Sequence, residues 1–140
     1  MIEPEQGERL IQAATASRRN AVSKRSGFSV GAAIEAEDGT IYGGCNIENS
    51  TYGLTVCAER VAIWKALSEG ERNFTALAIV ADTESLTPPC GTCRQIIWEF
   101  AKEATITLTN LRGGREVIKI YDLLPRAFDA RFLKEVRKGQ

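Results

Sequence analysis

The residues of this 140-residue chain whose types and spacing could do chemistry are its cysteines, three of which stand in two short motifs. Cys90 and Cys93 belong to PPCGTCRQ, and Cys57 opens CAER, in which Glu59 follows two residues later. A C-x-x-C pair is typical of a redox-active dithiol, of half a metal site or of one end of a disulfide framework. The pair alone leaves these three possibilities open.

Composition limits the compartment and the partners. The chain begins with the acidic, polar MIEPEQGERL, where a secretory signal has a cationic stretch before an apolar one. No apolar run approaches the roughly 18 residues that span a bilayer. We therefore expect a cytoplasmic protein without a membrane partner, in which thiols stay reduced and a structural disulfide is disfavoured. Lysine plus arginine and aspartate plus glutamate each number 18, which argues against a nucleic-acid polymer as a partner.

Helical and strand signals alternate along the chain. We predict a first amphipathic helix from about Glu5 to Ala21, a β-hairpin in FSVGAAIEAEDGTIYGGCNIE that turns at Asp38-Gly39, and a helix in CAERVAIWKALSEG that is buried on most sides. A strand ALAIVA at 76–81, buried on both faces, precedes a helix in PPCGTCRQIIWEFAKE, whose predicted buried stripe is Ile96, Ile97, Phe100 and Ala101. Strands in TITLT and EVIKI follow, joined by LRGGR, and DLLPRAF is predicted to be partly helical.

This order predicts one domain over residues 1–140. Its fold class is a three-layer α/β/α sandwich around one mixed five-stranded sheet. A hydrophobic composition of 44% suits a single core that needs no disulfides.

Both cysteine motifs fall at predicted helix starts, where partial positive charge and unpaired amides favour thiolates. If the two helices are neighbours, Cys57, Cys90 and Cys93 can converge and bind Zn²⁺, leaving a fourth position open for water, as in catalytic zinc sites. A thioredoxin-like dithiol would leave Cys57 and Glu59 without a role. A closed four-cysteine site would need Cys45, which strand alternation instead places in apolar packing with Ile47.

Glu59 has two interpretations. The helix dipole favours an acidic residue in any first helical turn. Two residues after a zinc ligand, however, a carboxylate that cannot reach the metal can still exchange protons with the water bound there, which is a general acid/base arrangement.

The two motifs, with 32 residues between Cys57 and Cys90, resemble those of the zinc-dependent cytidine deaminases of the small, homotetrameric, all-cysteine type. FSVGAA, GCNIEN and LLPRAF are also similar to family segments, so the resemblance runs from about Phe28 to Phe128. It implies hydrolytic deamination of cytidine and deoxycytidine to uridine and deoxyuridine, with release of ammonia, by zinc-activated hydroxide attack at C4. Cys57, Cys90 and Cys93 would bind the zinc and Glu59 would move the protons.

The resemblance also implies residues that bind the substrate. Asn46 and Glu48 would hydrogen-bond the ribose hydroxyls, Phe28 would lie against the base, and the backbone of Ala58 would meet the pyrimidine edge. Phe128 would enter a neighbouring subunit's site, which implies a homotetramer with shared active sites. For both phenylalanines the alternative is ordinary core packing.

Three thiolates leave a zinc site with a formal charge of −1, so we expect cationic groups to draw charge from the sulfurs. Arg60 and Arg94 each directly follow a motif residue. Our hypothesis is that Arg60 hydrogen-bonds one or more ligand sulfurs. For Arg94 a solvated position at the helix start remains the alternative.

The match departs from the family before Phe28. A pattern like A-Y-x-P-Y-S-x-F is replaced by AVSKRSGF, with Val22, Lys24 and Arg25 at the changed positions. The two cations would favour a larger or more anionic ligand, or they are solvated surface residues. A deaminase of a modified or larger nucleoside such as blasticidin S is therefore the nearest rival, followed by a non-catalytic zinc or dithiol redox module. Polynucleotide editing is disfavoured by the charge balance.

Overall fold

The computed structural model describes residues 4–138, and its five strands form one mixed sheet. The strands are β1 (Val30–Ala36), β2 (Ile41–Cys45), β3 (Phe74–Ala81), β4 (Thr105–Thr109) and β5 (Arg115–Lys119). The helices are α1 (Pro4–Arg18), α2 (Ala58–Ser68), α3 (Gly91–Phe100), α4 (Ile120–Leu123) and α5 (Ala130–Lys138), with a 3₁₀ turn at Tyr52–Leu54. The predicted element order up to the fifth strand is confirmed. The outer ends of the predicted domain, residues 1–3 and 139–140, lie outside the described residues.

The spatial order of the strands is β2-β1-β3-β4-β5, in which β3 and β4 are parallel and the other neighbours are antiparallel. Side chains of β3 alternate between two cores. Leu77 and Ile79 pack with α2 and α3 on one face, and Val80 packs with Leu10 of α1 on the other. Helices therefore cover both faces, which confirms the three-layer α/β/α sandwich around a mixed five-stranded sheet.

Gly44 of β2 sets the distance between the sheet and α2. A Cβ at this position would lie 2.5 Å from the backbone nitrogen of Ala62 and 2.6 Å from the carbonyl oxygen of Ala58. Only glycine lets α2 approach this closely. The contact brings the first turn of α2, which contains Glu59, against the sheet.

Several predicted boundaries were wrong. The first helix ends at Arg18 and not at Ala21, and the fifth strand ends at Lys119 because Ile120 begins α4. Helix α5 was not predicted, although it follows Asp129, whose side chain accepts a hydrogen bond from the backbone nitrogen of Arg131 at 3.0 Å.

Two predicted packing patterns also needed correction. On α3, Phe100 is half-exposed, and Trp98 takes its place in the buried stripe because its indole nitrogen reaches Asp129 at 3.0 Å. On α2, Trp64 is 47% exposed, so that helix is not buried on most sides. Among residues 4–138, no helix combines the length and the apolar character that a bilayer span needs.

Candidate functional site

The three motif cysteines converge at the N-termini of two helices, as predicted. Cys57 is the N-cap of α2, Cys90 is the N-cap of α3, and Cys93 lies in the first turn of α3. Their three Sγ atoms lie within 4.8 Å of one another, and the Sγ atoms of Cys57 and Cys90 are 3.6 Å apart. The two helices contact each other, so residues 33 positions apart in sequence form one cluster of sulfurs.

This donor set fits zinc. A tetrahedral site with Zn–S bonds of about 2.3 Å places neighbouring sulfurs about 3.8 Å apart, close to the separation of Cys57 and Cys90. Within the described residues, Cys45 is a buried free thiol that does not belong to the cluster. Three thiolates with no fourth ligand among residues 4–138 leave one tetrahedral position for a reactant, which is the pattern of a catalytic rather than a closed structural site.

Arg60 and the ends of two helices polarise the sulfurs. A hydrogen bond from Cys93, with further help from Arg60, lowers the pKa of Cys57 to about 5. The same contact raises the pKa of Cys93, which acts as the donor. Arg60 donates from Nη2 to Cys57 Sγ at 3.6 Å, and its predicted contact with a ligand sulfur is therefore confirmed. The neighbourhood favours thiolate at Cys57 before any metal is considered.

Arg94 makes different contacts from those expected of a charge compensator. Its Nε donates to the carbonyl of Pro89 at 2.8 Å and its Nη1 to the carbonyl of Leu123 at 2.9 Å. The side chain is half-buried, so a solvated position at the helix start is wrong for it. Its predicted charge compensation at the sulfurs stays a prediction, because these bonds go to carbonyl oxygens and not to a sulfur. The two bonds connect α3 to the chain before it and to the end of α4.

Glu59 lies beside the cysteine cluster with 4% of its surface exposed. Burial raises the pKa of Glu59 to about 7, with a smaller contribution from the negative charge of Cys57. Its protonated and ionised forms therefore have similar free energies near neutral pH, the property required of a group that accepts and returns a proton.

A cavity of about 220 Å³ opens next to these groups. Predicted site residues in its wall are Phe28, Asn46, Cys57, Ala58, Glu59 and Cys90. The wall also contains Val30, Thr55, Val56, Ile79, Thr87 and Pro88, which the sequence analysis did not single out. Pro88, the first residue of PPCGTCRQ, and Val30, in FSVGAA, stood in segments that the sequence analysis had named, and this was the signal that could have found them. Phe28 is 41% exposed and faces the cavity, so ordinary core packing is wrong for it.

Asn46 and Glu48 occupy different surroundings. The Asn46 amide accepts from the backbone nitrogen of Val30 at 2.9 Å and donates to the carbonyl of Phe28 at 2.8 Å. One N–H and one lone pair of the amide remain for a ligand in the cavity. Glu48 is not in the wall of this cavity. Its carboxylate accepts from the backbone nitrogens of Arg25 and Ser26, at 3.0 Å and 3.2 Å, and from the Ser26 hydroxyl.

The altered segment before Phe28 forms a second concavity of about 310 Å³, lined by Val22, Lys24, Arg25, Glu48 and Ser50. Arg25 donates to the Ser50 hydroxyl at 2.6 Å. Within residues 4–138, neither Lys24 nor Arg25 has a carboxylate within ion-pair distance. With Glu48 included, the lining carries a formal charge of +1.

Phe128 does not contribute to the cavity of its own chain. Its ring is 57% exposed and stacks on Phe132, with centroids 5.8 Å apart, so ordinary core packing is wrong for this residue too. The predicted packing of Cys45 with Ile47 also needs correction. Cys45 is buried but Ile47 is 40% exposed, because residues 46–48 leave β2 and pair instead with Val22 and Val56.

Comparison with known proteins gives a consistent result. The family model for the cytidine and deoxycytidylate deaminase zinc-binding region matches residues 4–109. A cytidine deaminase from Sporosarcina psychrophila is 54% identical over 122 residues, covering 86% of this chain and 90% of that protein. The crystal structure of cytidine deaminase from Burkholderia pseudomallei superposes with a TM-score of 0.84 at 44% identity, covering 86% of this chain and 98% of that one.

A blasticidin-S deaminase from Bacillus cereus is a more distant relative. It is 33% identical over 104 residues, which cover 69% of this chain and 74% of that protein.

Proposed function

Because the chain belongs to the cytidine and deoxycytidylate deaminase family with its zinc-binding region, we propose that it hydrolyses cytidine and deoxycytidine to uridine and deoxyuridine, releasing ammonia. The observation that carries the proposal is the cluster of three cysteine sulfurs beside a buried glutamate, at the wall of a cavity of about 220 Å³. The enzyme is a zinc-dependent hydrolase.

The zinc ligands are Cys57, Cys90 and Cys93, whose sulfurs already lie within 4.8 Å of one another. When bound, zinc supplies a Lewis acid that makes water nucleophilic near neutral pH. The protein contributes the site's shape and field. Two helix N-termini point at the sulfurs, and Arg60 draws charge from Cys57.

Glu59 carries the protons. It accepts a proton from the attacking water and delivers it to ring N3, so that C4 becomes tetrahedral without a charged ring. It then takes the proton of the new C4 hydroxyl and delivers it to the departing amine, so that the C4–N bond breaks, the C4 carbonyl forms and ammonia rather than amide ion leaves. Its burial supports this role because the raised pKa of Glu59 lets one carboxyl act as base and acid in turn.

The cavity binds the nucleoside. Phe28 lies against the base, the backbone of Ala58 meets the pyrimidine edge, and Asn46 uses its remaining N–H and lone pair for a ribose hydroxyl. Glu48, which lines the second concavity, holds the Arg25–Ser26 backbone and takes part in sugar binding from there. Water and a small nucleoside are the reactants, and no nucleic-acid polymer is required. A cytoplasmic location suits cysteine ligands that must stay reduced.

The active enzyme is a homotetramer in which Phe128 completes a neighbouring subunit's site. Two observations support this proposal: the position of Phe128 away from its own cavity and the exposure of its ring. Phe128 does not line the cavity of its own chain, yet its ring is more than half exposed. A large exposed aromatic beside the exposed ring of Phe132 is typical of a surface that another protein covers.

A second candidate substrate is a larger or modified aminopyrimidine nucleoside such as blasticidin S. The concavity of about 310 Å³ that Glu48 lines contains two cations, Lys24 and Arg25, that have no ion-pair partner within residues 4–138, and it favours a ligand that extends beyond the sugar.

The experiment is an ultraviolet assay of the zinc-loaded protein with cytidine, deoxycytidine, cytosine and blasticidin S, repeated with Glu59→Gln. We expect turnover of the two nucleosides and a loss of about 10² to 10⁴ in kcat for the variant. Turnover of blasticidin S alone would favour the second candidate. If no compound loses its amine although zinc is bound, the substrate assignment is wrong.

A further inference from the structure

Helix α3, whose N-terminal end presents Cys90 and Cys93, also holds the segment of the chain that contains Phe128. Three side chains on this helix, Arg94, Gln95 and Trp98, bond to the segment Leu123–Asp129, in which Phe128 stands. Gln95 donates from Nε2 to the carbonyl of Phe128 at 2.9 Å. The contacts begin at the residue directly after Cys93, so the segment that presents Phe128 is attached to the metal-binding end of the helix.

The far end of the segment is fixed at Asp129, whose side chain is buried, with 8% of the residue exposed. One carboxylate oxygen accepts from the indole nitrogen of Trp98 at 3.0 Å. The other accepts from the backbone nitrogen of Arg131 at 3.0 Å and from its Nε at 2.8 Å. These donors hold the pKa of Asp129 well below its usual range. A carboxylate with three donors has little rotational freedom, so the residue next to Phe128 cannot move without breaking them.

The middle of the segment carries backbone strain, while its near end is held at Leu123 by Arg94. Arg126 has a φ of 54°, and it is the one non-glycine residue with a positive φ in the part of the chain that the structure describes. A bulky residue in this region costs about 1 kcal/mol or more and persists only where surrounding contacts hold it. The strained turn lies two residues before Phe128, between the contacts of Arg94 and Gln95. Both ends of the segment are thus constrained, while the ring between them is exposed.

Resting on the proposed function, in which Phe128 completes a neighbouring site, we propose that Gln95 and Asp129 are positioning residues. They fix the direction of the Phe128 ring, with Arg94 and Trp98 as the other contacts of α3. The same helix thereby places two zinc ligands in its own subunit and the phenylalanine that serves another. Gln95 acts through Phe128 and not through the metal, since its amide bonds to the carbonyl of Phe128.

The test is a double-mutant cycle on the full-length zinc-loaded enzyme, with Gln95→Met, Phe128→Ala and their combination. Methionine keeps the length of glutamine but cannot donate a hydrogen bond. Loss of one net hydrogen bond predicts a fall in kcat/KM for cytidine of about 3- to 10-fold, mainly through KM. The combined variant should match Phe128→Ala alone, because Gln95 has nothing left to position. Gln12→Met, at an exposed position of α1 on the other face of the sheet, is the matched control and should leave kcat/KM unchanged.

Two further measurements separate positioning from a general structural effect. Zinc content of Gln95→Met should stay at the wild-type level, and amide hydrogen exchange in residues 123–129 should become faster than in wild type and in the control. If the Gln95 and Phe128 effects multiply, or if hydrogen exchange does not change, the positioning inference is wrong while the deaminase assignment stands. If Phe128→Ala has no effect on an active enzyme, both this inference and the shared site are wrong. If cytidine is not deaminated at all, the proposed function is wrong. Amide hydrogen exchange in Gln95→Met still tests the positioning inference in that case, because unchanged exchange in residues 123–129 would show that Gln95 does not hold this segment.

Discussion

Replacing Arg60 by glutamine tests how the protein compensates for the charge of three thiolates. Arg60 donates to Cys57 Sγ at 3.6 Å, and a hydrogen bond to a charged group contributes about 1.5 to 3 kcal/mol, or about 10- to 100-fold in an equilibrium constant. The buried Nε of Arg60 has no hydrogen-bond partner within residues 4–138, so its removal offsets part of that loss. We therefore expect zinc affinity to fall by about tenfold, the lower end of the range.

The assay is competition for zinc with a chromophoric chelator, together with a pH–rate profile for cytidine. Arg60→Lys should lose less affinity, since it keeps the charge. Arg72→Gln is the matched control, because Arg72 lies just beyond the end of α2 and, within residues 4–138, its side chain bonds only to backbone carbonyls of Leu67 and Glu71. Unchanged zinc affinity and an unchanged pH–rate profile in Arg60→Gln would refute the charge-compensation argument.

Three more predictions follow from packing and hydrogen bonding. Gly44→Ala should lower the free energy of unfolding, measured in urea, by about 1 to 3 kcal/mol and should weaken zinc retention, because the new Cβ meets the backbone of α2. Gly53→Ala is the control and should have neither effect, because a Cβ there has no atom within 4 Å. Asp129→Asn should be less stable at neutral pH and should lose less stability on acidification than wild type. The reason is that a depressed carboxyl pKa stabilises the fold above about pH 4 and that contribution disappears as pH falls; parallel pH–stability curves would contradict this. Glu48→Gln should weaken the hold on Ser26 and raise KM for cytidine several-fold with a smaller change in kcat; an unchanged KM would exclude Glu48 from sugar binding.

The cluster of Cys57, Cys90 and Cys93 could be predicted from sequence because the relevant signals are local. Each cysteine motif coincides with a helix start, and a short spacing within a helix fixes relative positions of side chains. Glu59 follows from the same argument, since it stands two positions after Cys57, with only Ala58 between them. Only one long-range contact, between α2 and α3, was needed to bring the two motifs together. The alternation of strands and helices in the sequence already indicated that contact.

Long-range contacts of polar side chains could not be predicted in this way. Nothing local indicates that Glu48 accepts from Ser26, or that Arg94 reaches the carbonyl of Leu123 instead of a sulfur. Trp98 displaced Phe100 from the predicted buried stripe for the same reason, since its partner Asp129 lies 31 residues away. Helix α5 is a different kind of miss. Its apolar residues recur at helical spacing after an aspartate cap, so the signal was present in the sequence.

Deamination of cytidine in ¹⁸O-labelled water by the zinc-loaded protein tests the central claim most directly, because hydrolysis at C4 takes its new oxygen from solvent. We predict one equivalent of ammonia for each uridine formed and one labelled oxygen in the uridine base, with both products almost absent for Glu59→Gln. Uridine without the label, ammonia without uridine, or equal rates for the wild type and the Glu59 variant would contradict a hydrolytic deaminase built on these three cysteines and this glutamate.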